Sequence, residues 1–98
     1  MNKRIPLRCP SCSNRLNVKT LHCIACSTTV EGHFALPALA SLTEEDQKFI
    51  LAFVKSSGSL KEMSRQLNLS YPTVRNMLDD IISNINNIEN EHLAENTP

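Results

Sequence analysis

The stretches CPSC at residues 9–12 and CIAC at residues 23–26 decide the fold of the first third of this chain. Two residues between a pair of cysteines let both sulfurs of a tight turn point at one ion, and two such turns supply four thiolates in a tetrahedral arrangement. We therefore predict a zinc ribbon with one structural Zn²⁺, and we expect short strands around residues 15–18 and 28–34 to connect its turns. The predicted zinc ligands are Cys9, Cys12, Cys23 and Cys26.

Other uses of the four cysteines fit the sequence less well. A disulfide framework needs an oxidising compartment, and the N-terminal stretch MNKRIPLRCP has no apolar segment of signal-peptide length. Iron–sulfur clusters follow other cysteine spacings, and a thioredoxin-like site needs a βαβ pattern. His22 and His33 flank the cysteine pairs, but four thiolates already complete the shell. A closed shell leaves no position for a catalytic water, so we predict a structural metal and no enzyme activity.

The length of the chain is compatible with two small modules, and its charge is distributed unevenly between a basic N-terminal part and an acidic C-terminal end. A chain of 98 residues allows one ordinary domain or two very small ones. Residues 1–40 carry a formal charge of +4, residues 41–78 carry +1 and residues 79–98 carry −5. A basic front favours contact with nucleic acid without requiring it. No apolar run approaches the roughly 20 residues that span a bilayer, so we expect no membrane association and a cytoplasmic protein.

A first helix is predicted after an expected linker at residues 37–42. Thr43 is a suitable N-cap, and the three acids that follow it favour the positive end of a helix dipole. Gly58 can adopt the left-handed conformation that ends a helix. The apolar residues at helical spacing between these two signals are Phe49, Ile50, Phe53 and Val54.

Residues 59–82 have the pattern of a helix-turn-helix. Ser59 and Glu62 form a capping-box signature, and Asn68 is suited to a left-handed turn. Ser70 is the expected cap of the next helix, and Ser64 is the small residue where the two helices approach each other. The residues expected to be buried are Leu60, Met63, Leu67, Leu69, Val74, Met77, Leu78 and Ile81.

The chain resembles a family of short bacterial proteins that join an N-terminal zinc ribbon to a helix-turn-helix. The resemblance rests on CPSC at 9–12, CIAC at 23–26, VEGHFALPALASLTEED at 30–46 and GSLKEMSRQLNLSYPTVRNMLDDII at 58–82. The helical part is also similar to region four of sigma factors and to LuxR-type DNA-binding domains. These resemblances imply a transcription-related role in the cytoplasm.

The expected fold class is small α+β, with a four-cysteine zinc ribbon followed by an all-α helix-turn-helix that has an extended C-terminal helix. The expected divisions are a ribbon at 1–36, a linker at 37–42, the helix-turn-helix domain at 43–88 and an acidic, disordered tail at 89–98.

The second helix of a helix-turn-helix lies in the major groove of DNA and contacts base edges with its N-terminal residues. Arg75 is suited to guanine and Asn76 to adenine, while Ser70 and Tyr71 suit phosphates. Double-stranded DNA is therefore the expected partner. The predicted DNA-contacting residues are Ser70, Tyr71, Thr73, Arg75 and Asn76, with Lys61 and Arg65 on the preceding helix.

A row of apolar residues continues past the helix-turn-helix and leaves two possibilities open. Either the last helix packs back on its own chain, or it pairs with a second copy to form a homodimer. The residues of this row are Val74, Leu78, Ile81, Ile85 and Ile88.

We expect a DNA-binding transcriptional regulator. The alternative functions are an adaptor that binds a sigma factor, RNA polymerase or another regulator, and a thiol-based redox or metal sensor.

Overall fold

The computed structural model describes residues 4–96 of the chain, with side chains as far as residue 92. The fold is small α+β, as predicted: two antiparallel strands near the N-terminus are followed by three helices. Two compact units divide the chain, Met1–Pro37 and Ala38–Pro98. No helix in the described part of the chain is both long and apolar enough to cross a membrane.

The first unit contains a two-stranded antiparallel sheet. Strand β1 (Val18–His22) pairs with strand β2 (Thr29–Phe34), so the second cysteine turn closes this hairpin. The predicted strand at residues 15–18 is wrong. The strand that pairs with β2 is Val18–His22, which leads directly into the second cysteine turn. Arg15 forms an isolated antiparallel bridge with Arg8 across the first cysteine turn, outside the two strands.

No residue between positions 4 and 37 is buried. The larger apolar side chains of this unit, such as Ile24 and Leu21, are exposed to solvent. A unit of this size without a core lacks the hydrophobic stabilisation that offsets chain entropy, and such units usually depend on a metal or a covalent cross-link.

Helix α1 (Glu44–Lys55) begins and ends at the predicted residues. The Thr43 hydroxyl accepts a hydrogen bond from the Asp46 amide at 3.3 Å. Gly58 has a φ of 79°, and its amide donates to the Phe53 carbonyl at 2.9 Å. Helices commonly end through such left-handed residues, because the turn satisfies their last carbonyl groups.

The expected linker at residues 37–42 differs from the observed structure, because the helical unit begins at Ala38. Leu39–Ser41 form a single turn of 3-10 helix, and Leu42 is among the most deeply buried side chains of the unit. Burial of Leu42 anchors this segment, so it is part of the helical core.

Helix α2 (Leu60–Leu67) is capped by Ser59, whose hydroxyl accepts a hydrogen bond from the Glu62 amide at 3.1 Å. The Glu62 carboxylate does not complete a reciprocal capping box. It accepts hydrogen bonds from the side chains of Arg65 and Gln66 instead. The helix ends at Asn68, which has φ 56° and ψ 43° and is left-handed as predicted.

Helix α3 (Tyr71–Asn96) is longer than expected. It has 26 residues and continues beyond Ile88, where the sequence predicted a disordered tail. Ile88 is buried, and Glu91 and His92 are half-buried, so packing supports the helix past that point. Residues 97 and 98 of the expected tail lie outside the described residues.

One buried cluster stabilises the helical unit. Its members are Leu42, Phe49, Leu60, Met63, Val74, Ile81 and Ile88. A hydrogen bond of 3.0 Å from the Asn84 side chain to Asp46 also joins α3 to α1.

Three apolar residues that the sequence placed in the core are exposed instead, and so is Val54, one of the apolar residues at helical spacing on α1. Three helices, one of them only eight residues long, have too little surface to cover every apolar side chain. Leu67 and Leu69 flank the end of α2 and are 43% and 40% exposed. The three mispredicted residues are Leu67, Leu69 and Met77.

The row of apolar residues on α3 packs on its own chain. Val74, Ile81 and Ile88 belong to the buried cluster, and Leu78 and Ile85 pack against it while partly exposed. Of the two possibilities that the sequence left open, the structure therefore shows the last helix packed on its own chain, and a homodimer through these five residues is not shown.

Replacing Ile88 by alanine tests this arrangement. Ile88 is 3% exposed, whereas Ile82 on the opposite side of α3 is 43% exposed. Ile88→Ala should lower the free energy of unfolding by about 2–4 kcal/mol through lost burial and a residual cavity. Ile82→Ala should change it by less than about 1 kcal/mol. Urea denaturation followed by circular dichroism measures both, and equal effects would contradict the burial of Ile88.

Candidate metal centre and nucleic-acid interface

The first cysteine turn is shaped by its own backbone. The Cys9 amide donates to the Asn14 carbonyl and the Ser13 amide donates to the Cys9 carbonyl, each at 2.8 Å. Ser13 is left-handed, with a φ of 63°. The Ser11 amide points at the Cys9 sulfur at 3.4 Å. The Arg8 side chain donates a hydrogen bond of 3.5 Å to the Ser13 carbonyl, which links the residue before the turn to its end.

The second cysteine turn repeats this backbone geometry. The Cys23 amide donates to the Thr28 carbonyl and the Ser27 amide donates to the Cys23 carbonyl, again at 2.8 Å. Ser27 also has a φ of 63°. The Cys26 sulfur lies 3.0 Å from the Thr28 hydroxyl. Two unrelated surface loops would not be expected to share these bonds and the same left-handed position.

Hydrogen bonds favour the thiolate form of one cysteine in each turn. The amides of Cys12 and Ser11, together with the Cys12 thiol, lower the pKa of Cys9. The Thr28 hydroxyl and amide, followed by the Cys23 thiol, lower the pKa of Cys26. Thiolates are the form in which cysteine binds metal, so both turns are suited to that chemistry.

The structure brings the cysteines together in pairs. Cys9 contacts Cys12, and Cys26 contacts Cys23, and none of the four forms a disulfide. The described residues do not gather three or more Cys, His, Asp or Glu side chains into one group. The donor set nevertheless fits zinc, because four soft ligands lie on two matching turns in a unit without a core.

The turn between α2 and α3 is held by a contact that the sequence analysis missed. The Ser64 hydroxyl donates to the Leu69 carbonyl, and the Leu69 amide donates to the Ser64 carbonyl at 3.1 Å. Ser64 is therefore more than a small residue at a close approach. The sequence did contain a signal for this hydrogen bond. Alanine or glycine would be small enough for the close approach of the helices, so a serine at this position indicates a use for its hydroxyl.

The N-terminus of α3 is capped by its own side chains. The Ser70 hydroxyl accepts from the Thr73 amide at 3.3 Å, and the two hydroxyls lie 2.7 Å apart. This capping orients both residues at the end of α3 that a helix-turn-helix presents to DNA.

All seven predicted DNA-contacting residues are exposed. Two of the three cations among them pair with acids of their own helix. Arg75 Nε lies 3.4 Å from Asp79, and Arg65 contacts Glu62. The Arg65 hydrogen bond lowers the pKa of Glu62. Surface pairs of this kind are individually weak, so both guanidinium groups stay accessible to a stronger anion.

The charge of this surface is balanced. Between residues 60 and 82 three cations oppose three acids, so the helix-turn-helix has a formal charge of zero. The whole helical unit, residues 38–98, has five cations and nine acids and a charge of −4. Residues 1–37 have five cations and one acid and a charge of +4 with neutral thiols. Four thiolates and one Zn²⁺ would reduce this charge to about +2. Any attraction for DNA phosphates therefore comes mainly from the ribbon unit.

The fold and these two regions define a zinc-ribbon protein with a helix-turn-helix. A family model described as the DUF2089 zinc ribbon matches residues 9–40, and one described as a domain of unknown function (DUF2089)-HTH matches residues 42–88. The chain belongs to this DUF2089 family. No curated protein and no solved structure matches it.

The family match covers the regions that carry the candidate sites. All four cysteines lie within the zinc-ribbon match, which indicates zinc binding. The helix-turn-helix match indicates that nucleic-acid binding is possible. Both modules are typical of binding proteins rather than of enzymes.

Substitution of Asn68 tests the turn that positions α3. Asn68→Ala should lower the free energy of unfolding by about 1–2 kcal/mol, because a Cβ without a compensating polar group is strained at a φ of 56°. Asn68→Gly should retain wild-type stability, since glycine adopts this conformation freely. Thermal and urea unfolding compare the two variants, and a stable alanine variant would refute the requirement for a left-handed residue.

Proposed function

We propose that Cys9, Cys12, Cys23 and Cys26 hold one structural Zn²⁺. The matching geometry of the two cysteine turns supports this assignment, together with the lack of a core in residues 4–37. When bound, zinc would cross-link the turns and stabilise the ribbon as a fold. With four thiolate ligands the ion has no open coordination position, so its role is structural.

Metal analysis of the purified chain tests this proposal. We expect one zinc per chain, and loss of stoichiometric zinc in both Cys12→Ser and Cys26→Ser, one from each turn. His22→Ala and His33→Ala are matched controls that should keep the metal. Chelation should broaden the NMR signals of residues 4–37 while signals of the helical unit stay dispersed. Retention of zinc after loss of either cysteine pair would refute the four-cysteine site.

We propose further that the chain is a DNA-binding transcriptional regulator. The observation that supports this function is the turn between α2 and α3. The left-handed Asn68 and the Ser64 bonds set the two helices, Val74 and Ile81 face the core, and the predicted contact residues remain exposed. In this arrangement the N-terminal part of α3 would enter the major groove.

Asp79 has a positioning role in this proposal. Its carboxylate lies by the Nε of Arg75, which leaves the two terminal nitrogens of the guanidinium for a bidentate contact to guanine O6 and N7. Asn76 would form the equivalent contact to adenine. Asp79 also repels phosphates, so it restricts binding to sites where Arg75 makes its base contact.

Phosphate contacts would come from both units. Lys61 and Arg65 of α2 and Ser70 and Tyr71 at the start of α3 are exposed and are suited to the DNA backbone. In the ribbon, Arg8, Arg15 and Lys19 contribute to the basic charge that the helical unit lacks. Counterion release by these residues would supply affinity, and α3 would supply sequence preference.

Selection from random duplexes, followed by gel-shift titration with the selected site, tests DNA binding. Arg75→Ala should weaken binding by about 1–3 kcal/mol, or roughly five- to 150-fold in Kd, and remove the preference at one base pair. Asp79→Asn should strengthen binding to unrelated duplex and so reduce discrimination.

Lys48→Ala is the matched control for charge, because it removes one cation of the helical unit from α1 rather than α3. It should change the Kd by less than about twofold at physiological salt. If no sequence is enriched, or if Arg75→Ala binds as the wild type does, the proposed DNA contact is wrong.

A second candidate function is an adaptor that binds a sigma factor, RNA polymerase or another regulator. The charge of −4 on the helical unit favours the adaptor function. An acidic surface attracts basic protein partners, and it also repels the phosphates of DNA. Association with purified polymerase or sigma factor, with no retention on duplex DNA at low salt, would support the adaptor over the regulator.

A further inference from the structure

Helix α1 has a second apolar face that the core does not use. Phe49 is buried in the cluster and Phe53 packs against it, as expected for the inward face. Leu51 and Val54 are nevertheless 57% and 66% exposed. They lie three residues apart and form a stripe on one side of the helix with Gln47. Ile50 borders this side and packs partly against the core cluster.

This stripe forms one wall of a built groove. The Gln47 side chain donates to the carbonyl of Leu42 at 2.9 Å and to that of Ala40 at 3.4 Å, which holds the preceding segment beside α1. Leu39, itself exposed, lines the opposite wall. The groove has a volume of about 290 Å³, and Gln47 is its only polar lining residue among those described.

The ends of α1 carry opposite charges on one flank of this groove. Glu44 begins the helix and Lys55 ends it, and they are about three full turns apart, so both lie on the same side of the stripe. Glu44 also pairs with Lys48 of its own helix at 3.4 Å, and such a weak surface pair leaves its carboxylate able to attract a second cation. Their midpoint falls within about one residue of the midpoint of the apolar stripe. An antiparallel pair of α1 helices related by a two-fold axis would therefore place Glu44 of each copy beside Lys55 of the other.

We propose that the groove binds a second copy of this chain, with α1 packed antiparallel to α1 of its partner. Antiparallel packing matches Leu51 and Val54 to the same stripe on the partner and opposes the two helix dipoles. Parallel packing would set the acidic first turns, Glu44 to Asp46, at the same level. This dimer differs from the pairing through α3 that the sequence left open, because the apolar row of α3 packs in or against the core.

Dimerisation through α1 leaves α3 available in both copies. A surface with no net charge binds DNA weakly, and two linked copies bind far more tightly because the second contact is intramolecular. The dimer itself does not depend on the proposed DNA binding, so it is tested without DNA.

Sedimentation velocity between about 1 and 200 µM tests the proposal on the full-length, zinc-loaded chain. We expect a reversible monomer–dimer equilibrium in this range. Leu51→Ser should raise the dimer Kd by at least about tenfold. Ile82→Ser, an exposed apolar residue of α3, is the matched control and should change the Kd by less than about twofold. A wild-type chain that stays monomeric, or equal effects of the two variants, would overturn the proposal.

Charge exchange tests the antiparallel arrangement. Glu44→Lys and Lys55→Glu should each weaken self-association, because each places like charges together at both ends of the pair. An equimolar mixture of the two variants should restore the dimer to near wild-type affinity, since opposite charges then meet at both ends. A mixture that remains as weak as its components would overturn the antiparallel pairing. Circular dichroism verifies that both charge variants keep their helices. If one of them unfolds, the comparison of Leu51→Ser with Ile82→Ser tests the dimer instead.

Discussion

Burial of one face of α3 is the constraint on which the helical unit depends. Val74 has no exposed surface, and Ile81 and Ile88 continue the same face over four turns toward the C-terminus. This face packs into one cluster with residues of α1, α2 and the segment before α1, so a single helix holds the other elements together. Its opposite face is left polar and exposed, and the candidate DNA contacts lie at its N-terminal end.

The two units are stabilised by different physical means. The helical unit has an apolar core, while no described residue of the ribbon is buried. The ribbon relies on short-range backbone bonds that shape two equivalent cysteine turns. Metal binding is the natural source of the missing stabilisation, because it joins parts of a chain that hydrophobic burial does not hold.

Electrostatics divides the chain in the same way as the fold. The basic ribbon and the acidic helical unit cancel to a net charge of zero, so the overall composition conceals both. On the helix-turn-helix, acids pair with Arg65 and Arg75. To bind a new anion, each of these arginines must give up its existing acidic partner. The exchange adds little affinity, but it favours binding partners that contact the arginines well. Affinity must then come from additional contacts, through the ribbon or through a second copy.

Local signals in the sequence were sufficient for the starts of the three helices and for the ends of α1 and α2. Thr43, Ser59, Asn68 and Gly58 act through backbone groups within a few residues, so their roles follow from residue type and spacing. The cysteine pairs are equally local, and the sequence predicted the zinc ribbon and the helix-turn-helix in order.

Only the tertiary structure decided which apolar residues are buried. Leu67, Leu69 and Met77 are hydrophobic like Val74, but they are exposed whereas Val74 is buried. Val54 has the spacing of a core residue and nevertheless faces solvent. Helical periodicity identifies apolar faces without stating what packs on them, because burial depends on elements distant in the chain. For the same reason the row on α3 resembled a dimer interface in the sequence, although it fills the core of its own unit.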